Sequence, residues 1–280
     1  MTFIFHAPAA PLNDYIDCFY YPIGPAPYPR ERILPMPALD LKINLGGPLR
    51  VYDADDGKPS ATLTESWVVG LWNKSHVVDW PADMGYFGVS FKPGGAYPFL
   101  RLPLSEFHNQ VVPLDVIWGN FAAEIRERLL DASTLQARFA ILEQLLFARL
   151  YEAPHGLNAV RYAAAELAWH HGVLSIRELS EHMGMSQKHL ITQFRQMAGG
   201  TPKELARLYR FAHILEGIDL AGPVDWTLIA HQFCYHDQSH FIRDFRAFTG
   251  HTPSDYLRLR RLMHAASPER AQQPRLLPTG

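Results

Sequence analysis

The pattern of apolar and polar positions changes twice along the chain. Up to about residue 110, short runs of β-branched and aromatic residues are separated by glycine, proline and aspartate. Short apolar runs closed by turn-forming residues at near-regular spacing predict the strands of a β-sandwich or a small barrel. The predicted strands are 41–45, 67–71, 76–80 and 86–91.

The periodicity becomes helical from about Pro113. A helix is predicted after Ser133 and Thr134, either of which can cap it. Two interpretations of its apolar stripe are open: an amphipathic helix that covers the β core, or a dimerisation helix. The stripe follows helical steps of four, three and four residues: Leu135, Phe139, Leu142 and Leu146.

An internal repeat lies in the last third of the chain, where residues 184–202 recur as residues 234–253. At a shift of 51 positions, His189 aligns with His240 and Thr201-Pro202 aligns with Thr252-Pro253. Upstream of the repeat the shift is 50, so the turn of the second copy is one residue longer. Two copies of one supersecondary unit are the natural interpretation.

Each copy reads as a helix, a tight turn and a second helix. In the first copy Gly184 can supply the left-handed turn residue, and Ser186 can cap the second helix. In the second copy Asp237 is the corresponding cap. This arrangement is the helix-turn-helix unit, whose second helix enters the major groove of DNA.

The second helix of each copy has a buried face and an outward face. Leu190, Phe194 and Met197 are predicted to be buried in the first copy, and Phe241, Phe245 and Phe248 in the second. The outward faces carry side chains that bond base edges or phosphates, and they contain a single carboxylate, Asp244. The helix between the copies adds Lys203 and Arg207 as phosphate-contacting residues, with Arg210 also predicted to be exposed. The outward candidates are Gln187, Lys188, Ile191, Thr192 and Arg195 in the first copy and Gln238, Ser239, Arg243 and Arg246 in the second.

At these residues the sequence resembles the AraC/XylS family of bacterial transcription regulators. The resemblance covers about residues 157–262 and is most specific over residues 237–256, DQSHFIRDFRAFTGHTPSDY. It implies seven helices with two DNA-reading units, and a domain before them that senses an effector or dimerises. Cys234 replaces a glycine that many members have, and Ile191 and Thr192 stand where others carry longer polar side chains. The departures at Ile191 and Thr192 imply that the first unit supplies less sequence specificity.

The expected fold is therefore α+β with two domains. Residues 1–150 are predicted to form a β-rich, jelly-roll or cupin-like barrel with terminal helices. Residues 157–262 are predicted to form an all-α DNA-binding domain with two helix-turn-helix units. Residues 266–280 have no periodic apolar pattern and are predicted to be a loose tail.

Charge and cysteine content narrow the partners only slightly. Residues 1–156 hold 12 basic and 17 acidic residues, whereas residues 157–265 hold 12 and 10. This mild asymmetry is compatible with nucleic-acid binding in the second half. With only Cys18 and Cys234 and no signal-like or membrane-spanning stretch, a cytoplasmic protein is expected.

The sequence also offers two metal-dependent alternatives. His231, Cys234, His236 and His240 have the spacing of zinc ligands, yet they fall in the predicted turn and recognition helix. A cupin-type metal enzyme needs clustered histidines, whereas the first 150 residues hold only His6, His76 and His108, widely scattered. No enzyme activity, metal or cofactor is therefore expected.

The sequence allows two kinds of partner for the first domain, a small-molecule effector or a protein. An apolar cavity would favour the small molecule, and five aromatic residues either line such a cavity or fill the core. The expected partners are double-stranded DNA, together with RNA polymerase, an effector and a second copy of the chain as candidates; no membrane is expected. The five aromatic residues are Trp67, Trp72, Trp80, Phe87 and Phe91.

Overall fold

A computed structural model describes residues 2–26, 28–54, 57–266 and 273–279, and it has the expected two-domain α+β fold. Its strands are β1 (Thr2–His6), β2 (Ile16–Ile23), β3 (Arg30–Ile33), β4 (Leu39–Asn44), β5 (Leu49–Asp53), β6 (Pro59–Leu63), β7 (Ser66–Val69), β8 (His76–Asp79), β9 (Tyr86–Phe91), β10 (Val111–Pro113) and β11 (Leu276–Pro278). Its α-helices are α1 (Tyr97–Leu100), α2 (Asp115–Trp118), α3 (Asn120–Asp131), α4 (Leu135–Arg149), α5 (Leu157–Trp169), α6 (Ile176–His182), α7 (Gln187–Ala198), α8 (Pro202–Glu216), α9 (Trp226–Gln232), α10 (Gln238–Thr249) and α11 (Pro253–Ala266). Short 3-10 helices lie at Leu12–Asp14 and Leu104–Phe107. None of the helices described has the length and apolar character needed to cross a bilayer.

The described strands of the first domain form two antiparallel sheets that do not close into one barrel. One sheet has the order β1-β2-β9-β4-β7-β10, and the other has the order β11-β3-β8-β5-β6. All four strands predicted from the sequence are present, as β4, β7, β8 and β9. Because β7 and β9 flank β4, the six-stranded sheet has a central strand that is paired on both sides.

The side chains of β4 alternate between two environments, as the two-residue period of a strand requires. Leu41 and Ile43 are fully buried against the helices of the first domain. Asp40 and Lys42 point to the opposite face, where they line a cavity between the two sheets. The domain therefore has three layers: helices, the six-stranded sheet and the five-stranded sheet.

Helix α4 covers the β core, which is the first of the two interpretations considered for its stripe. The Thr134 hydroxyl accepts the N–H of Ala137 at 3.1 Å and caps the helix, as predicted. Phe139 packs edge-on against Phe87 of β9, with ring centroids 5.1 Å apart, and Leu142 is fully buried. The apolar stripe is thus covered within the chain and is not free to pair with a second α4.

The C-terminal segment is not the loose tail that its sequence predicts. Within the part of the tail that is described, 273–279, β11 pairs antiparallel with β3 of the first domain. Leu277 is completely buried, and the N–H of Leu34 donates to the carbonyl of Arg275 at 2.8 Å. A single buried leucine next to an available sheet edge fixes this segment, and no periodicity is needed for that. Residues 267–272 and 280 of the predicted tail lie outside the described residues.

The second domain is built around α8. Its first turn is closed by a capping box, in which Thr201 accepts the N–H of Glu204 and the Glu204 carboxylate accepts the N–H of Thr201. Leu208 and Phe211 are buried among residues from both helix-turn-helix units. One apolar core therefore joins the two units through this helix.

Candidate nucleic-acid interface and inter-sheet cavity

The turns of both predicted helix-turn-helix units are present. Four residues separate α6 from α7, and five separate α9 from α10, so the second turn is one residue longer, as predicted. Gly184 has a φ of +63° and Cys234 has a φ of +55°. The left-handed turn position is therefore kept by Cys234 at a modest conformational cost, since a side chain disfavours this backbone region.

The caps of the two second helices are those predicted. The Ser186 hydroxyl accepts the N–H of His189 at 3.2 Å, and the Asp237 carboxylate accepts the N–H of His240 at 2.7 Å. The His240 N–H, with help from His236, holds the pKa of the Asp237 carboxyl below its usual value. An ionised cap at this position favours the helix through its dipole.

The inward faces are also those predicted. Leu190, Phe194 and Met197 of α7 are 2% exposed or less. The three phenylalanines of α10 that the repeat pattern places inward, Phe241, Phe245 and Phe248, are equally buried. The opposite faces of both helices are thereby turned away from the core.

Most of the predicted outward side chains reach solvent. Ile191 is half-buried, and the Thr192 hydroxyl donates to the carbonyl of Lys188 in the turn before it, at 3.0 Å. Helix α7 carries no carboxylate at all, so its exposed face presents amides and cations. The exposed candidates are Gln187, Lys188, Thr192, Arg195, Lys203, Gln238, Ser239, Arg243 and Arg246.

Two arginines of α8 differ from the prediction that they are exposed. Arg207 donates through Nη2 and Nε to both carboxylate oxygens of Asp244, at 2.6 and 3.2 Å. Arg210 donates to the carbonyl of Gly172 at 2.8 Å, and its guanidinium lies 5.1 Å from the centre of the Tyr235 ring. Helical periodicity placed both residues on the polar face of α8 correctly, but that face is covered by the neighbouring units.

The first domain holds the first unit by contacts that the sequence did not reveal. His108 Nδ1 lies 3.0 Å from the carbonyl of Gly199, just after α7, and its Nε2 lies 3.7 Å from the Glu204 carboxylate. Gln196 of α7 donates to the Tyr97 hydroxyl at 3.1 Å. These contacts involve the C-terminal end of α7 and leave its N-terminal, outward residues open. Isolated histidines and amides carry no periodic signal, so only the tertiary structure identifies this role.

The side chains weighed as zinc ligands have other neighbours. His236 Nδ1 lies 3.1 Å from the Asp237 carboxylate, and the His240 ring packs edge-on against Tyr235. Within the described ranges, no three His, Cys, Asp or Glu side chains converge as a metal site would require.

A cavity of about 80 Å³ lies between the two sheets. Trp67, Trp72 and Trp80 line it, whereas Phe87 and Phe91 fill the core on the other side of the six-stranded sheet. The five aromatic residues considered together in the sequence therefore divide between a cavity wall and the core. Because adjacent strand residues alternate between faces, their functions also separate by face.

The cavity contains charged and titratable side chains in an otherwise apolar wall. The Lys42 ammonium lies 5.1 Å from the centre of the Tyr86 ring, and burial lowers the pKa of Lys42. Burial also lowers the pKa of His76 to about 3, with a smaller contribution from the positive charge of Lys42. Asp40 accepts the hydroxyl hydrogen bond of Tyr20 at 2.6 Å. Ionisable groups with shifted pKa values in a cavity mark a candidate ligand site.

Two families match separate parts of this chain. The family described as a helix-turn-helix domain matches residues 179–259, and a domain of unknown function (DUF6597) matches residues 4–113. No curated protein matches the chain.

Several solved structures resemble the fold at low sequence identity. ToxT from Vibrio cholerae is 12% identical, with a TM-score of 0.42 over 85% of this chain and 95% of ToxT. The unsaturated fatty acid bound wild-type ToxT is 11% identical, with a TM-score of 0.42 over 85% of this chain and 93% of that chain. The AraC-like transcriptional activator CuxR is 16% identical, with a TM-score of 0.29 over 75% of this chain and 80% of CuxR.

The paired turns, the capped second helices and the helix-turn-helix match over residues 179–259 define a DNA-binding transcription regulator with a β-rich first domain. Its helix-turn-helix domain, over residues 179–259, is of the AraC type.

Proposed function

We propose that this regulator binds specific DNA by placing α7 and α10 in two successive major-groove segments on one face of the duplex. The observation that carries this proposal is the pair of exposed faces, which hold amides and cations and almost no free carboxylate. Gln and Arg side chains can form paired hydrogen bonds with adenine and guanine edges. Lys203, which is exposed at the start of α8, would contact phosphate. The regulator acts by binding DNA and not by catalysis. It does so in the cytoplasm, where its DNA partner is.

Selection from a pool of randomised duplexes, followed by titration of the selected duplex, tests this function. Arg243 is exposed on α10, and its neighbour Asp244 is already paired with Arg207. We expect Arg243→Ala to weaken binding by about 1–3 kcal/mol and to relax the preference at one base position.

The matched control is Arg128→Ala, which removes a partly exposed arginine of α3 in the first domain and should leave both quantities unchanged. Equal affinity and equal base preference for Arg243→Ala and wild type would remove this residue from the interface. A wild-type protein that selects no sequence would overturn the proposed function itself.

We also propose that the inter-sheet cavity binds a small effector that presents an anionic or acceptor group to Lys42. Burial lowers the pKa of Lys42 by more than the negative charge of Asp40 in the same cavity raises it, so a further negative partner would favour the ammonium. The cavity of about 80 Å³ is far below the roughly 300 Å³ of a site for drug-sized ligands. The effector therefore has few atoms, or the sheets separate to admit a larger one.

Thermal unfolding in a series of small carboxylic acids tests the effector proposal. An acid that binds should raise the melting temperature of the wild type with its concentration. Lys42→Met should abolish that increase, while Lys58→Met, at an exposed position just before β6, should retain it. An equal increase in the Lys42 variant would place the acid elsewhere. No increase with any acid would favour the alternative in which the first domain senses or recruits a protein partner.

A further inference from the structure

The polar face of α8 contacts both helix-turn-helix units at once. Arg207, Arg210 and His213 follow one another at steps of three residues and lie on the same face of this helix. We call these three residues the α8 seam. Each of these three side chains contacts a different part of the two units. Side chains on α8, the spacer helix between the units, need not contact either of them.

The middle of the α8 seam joins the spacer to the first unit by close backbone packing. Gly172 has a φ of +72°, and a Cβ built on it would lie 1.9 Å from the carbonyl oxygen of Ala206. Only glycine fits there, so the turn before α6 lies directly on α8. Arg210 donates to the carbonyl of this same Gly172, and the rings of His171 and His213 stack with centroids 3.8 Å apart.

The second unit meets the α8 seam through ring contacts of Arg210 with Tyr235 and of His213 with Phe233, and through one ion pair. The Arg207 guanidinium makes a two-point contact with Asp244 of α10 and lies 5.0 Å from the centre of the Phe248 ring. The Arg207 side chain is 33% exposed and that of Asp244 is 14% exposed, so the pair is largely shielded from water. A planar guanidinium that grips a carboxylate at two points fixes direction as well as distance.

We propose that the Arg207–Asp244 ion pair is the positioning contact that fixes α10, and with it the second unit, at one angle to the spacer helix. The apolar core beneath it, in which Phe211 packs on Phe245 and Phe248, holds the two elements together. The hydrophobic effect that drives this packing is non-directional, whereas a two-point ion pair has a fixed geometry. The ion pair supplies the missing direction, and the chain then reads its two DNA segments at a single spacing.

This inference rests on the proposed two-segment reading, and it changes the role of Arg207 from phosphate contact to positioning residue. The two roles predict changes in different quantities when Asp244 is altered: overall DNA affinity for a phosphate contact, and the preference for one spacing for a positioning residue. A phosphate-binding Arg207 is restrained by Asp244, so Asp244→Asn should raise DNA affinity. A positioning Arg207 needs Asp244, so Asp244→Asn should weaken the preference for one spacing.

The experiment measures spacing selectivity with the full-length protein. The wild type first selects a duplex from a randomised pool, and a second duplex then receives one extra base pair between the two segments. One base pair rotates the segments by about a tenth of a turn, which a rigid pair of units cannot follow. Spacing selectivity is the ratio of the dissociation constants for the lengthened and the selected duplex.

We expect Arg207→Ala and Asp244→Asn each to reduce spacing selectivity about tenfold, and the double variant to reduce it no further. The charge exchange, Arg207→Asp with Asp244→Arg, should restore much of the selectivity. Its extra cation on α10 affects both duplexes alike and cancels in the ratio. Arg177→Ala, which breaks an exposed ion pair with Glu181 inside α6, is the matched control and should leave the ratio unchanged.

Three results would overturn the inference. Unchanged selectivity in both single variants would do so, with a melting temperature close to wild type showing that they fold. Higher affinity for Asp244→Asn, together with a salt dependence for Arg207→Ala that is lower by about one unit, would instead assign Arg207 to phosphate. A wild type that selects only one segment would overturn the proposed two-segment reading together with this inference.

Discussion

At the scale of single residues, His76 is the clearest case of a side chain governed by its surroundings. It is on β8, its ring lies 4.5 Å from that of Trp72, and it lines the cavity that also holds Lys42. Withdrawal from water disfavours the charged imidazolium, and a nearby ammonium disfavours it further. The folded protein therefore keeps His76 neutral down to a pH of about 3, the value to which its pKa falls.

This makes the stability of the protein depend on pH in a definite direction. In the unfolded chain His76 takes up a proton near its ordinary pKa of about 6.5, whereas the folded protein does not. Between about pH 6.5 and about pH 3 the unfolded state binds more protons, so the free energy of unfolding falls as the pH is lowered. One such proton corresponds to a slope of about 1.4 kcal/mol per pH unit.

Urea unfolding at several pH values between about 4 and 7.5 measures this slope. We expect His76→Gln to reduce this slope by up to about 1.4 kcal/mol per pH unit, the equivalent of one proton, because glutamine does not titrate. Parallel curves for wild type and His76→Gln would show that the imidazole is charged in the folded protein, contrary to its lowered pKa.

At the scale of elements, the sequence predicted the strands, the helices and the repeated units. It did not predict which polar helix faces are covered by other parts of the chain. The strands at 41–45 and 86–91, the helix after Thr134 and both helix-turn-helix units follow from local periodicity and capping, and all are present. Periodicity identifies which side of a helix is polar. It does not say whether that side meets water or another polar surface.

The same limit explains the two arginines of α8. Arg207 and Arg210 lie on the polar face, as the pattern requires, yet Asp244 and Gly172 come from elements that are far away in the chain. The carboxylate of Asp244 was the one exception on an otherwise carboxylate-poor face. An unexpected acidic residue beside predicted DNA contacts is the available sequence signal for such a partner, since an unpaired carboxylate would repel phosphate.

At the scale of the whole molecule, the C-terminal segment joins the end of the chain to its beginning. β11 extends the five-stranded sheet at β3, and β3 continues into Leu34, which lines the inter-sheet cavity. From the other side, the Tyr256 hydroxyl of α11 donates to the carbonyl of Pro274 at 2.7 Å. Arg260 of the same helix, only 2% exposed, donates to the carbonyl of Gln273 at 2.9 Å. The segment thus connects the second helix-turn-helix unit to a wall of the cavity.

Leu277 is the residue on which this connection depends, because its side chain is completely buried while that of the adjacent Leu276 is only partly buried. We expect Leu277→Ala to lower the free energy of unfolding by about 2–4 kcal/mol through lost burial and the cavity left behind. Leu276→Ala is the matched control, with the same atoms removed from the neighbouring position of the same strand, and should cost well under half as much. Urea unfolding monitored by tryptophan fluorescence measures both.

Equal, small effects of the two leucine variants would mean that the segment only rests on the β3 edge. Removal of residues 273–280 would then leave the unfolding of the second domain unchanged. If the segment holds the domains together, that removal should separate a single unfolding transition into two, since α11 would lose its hydrogen bonds to this segment.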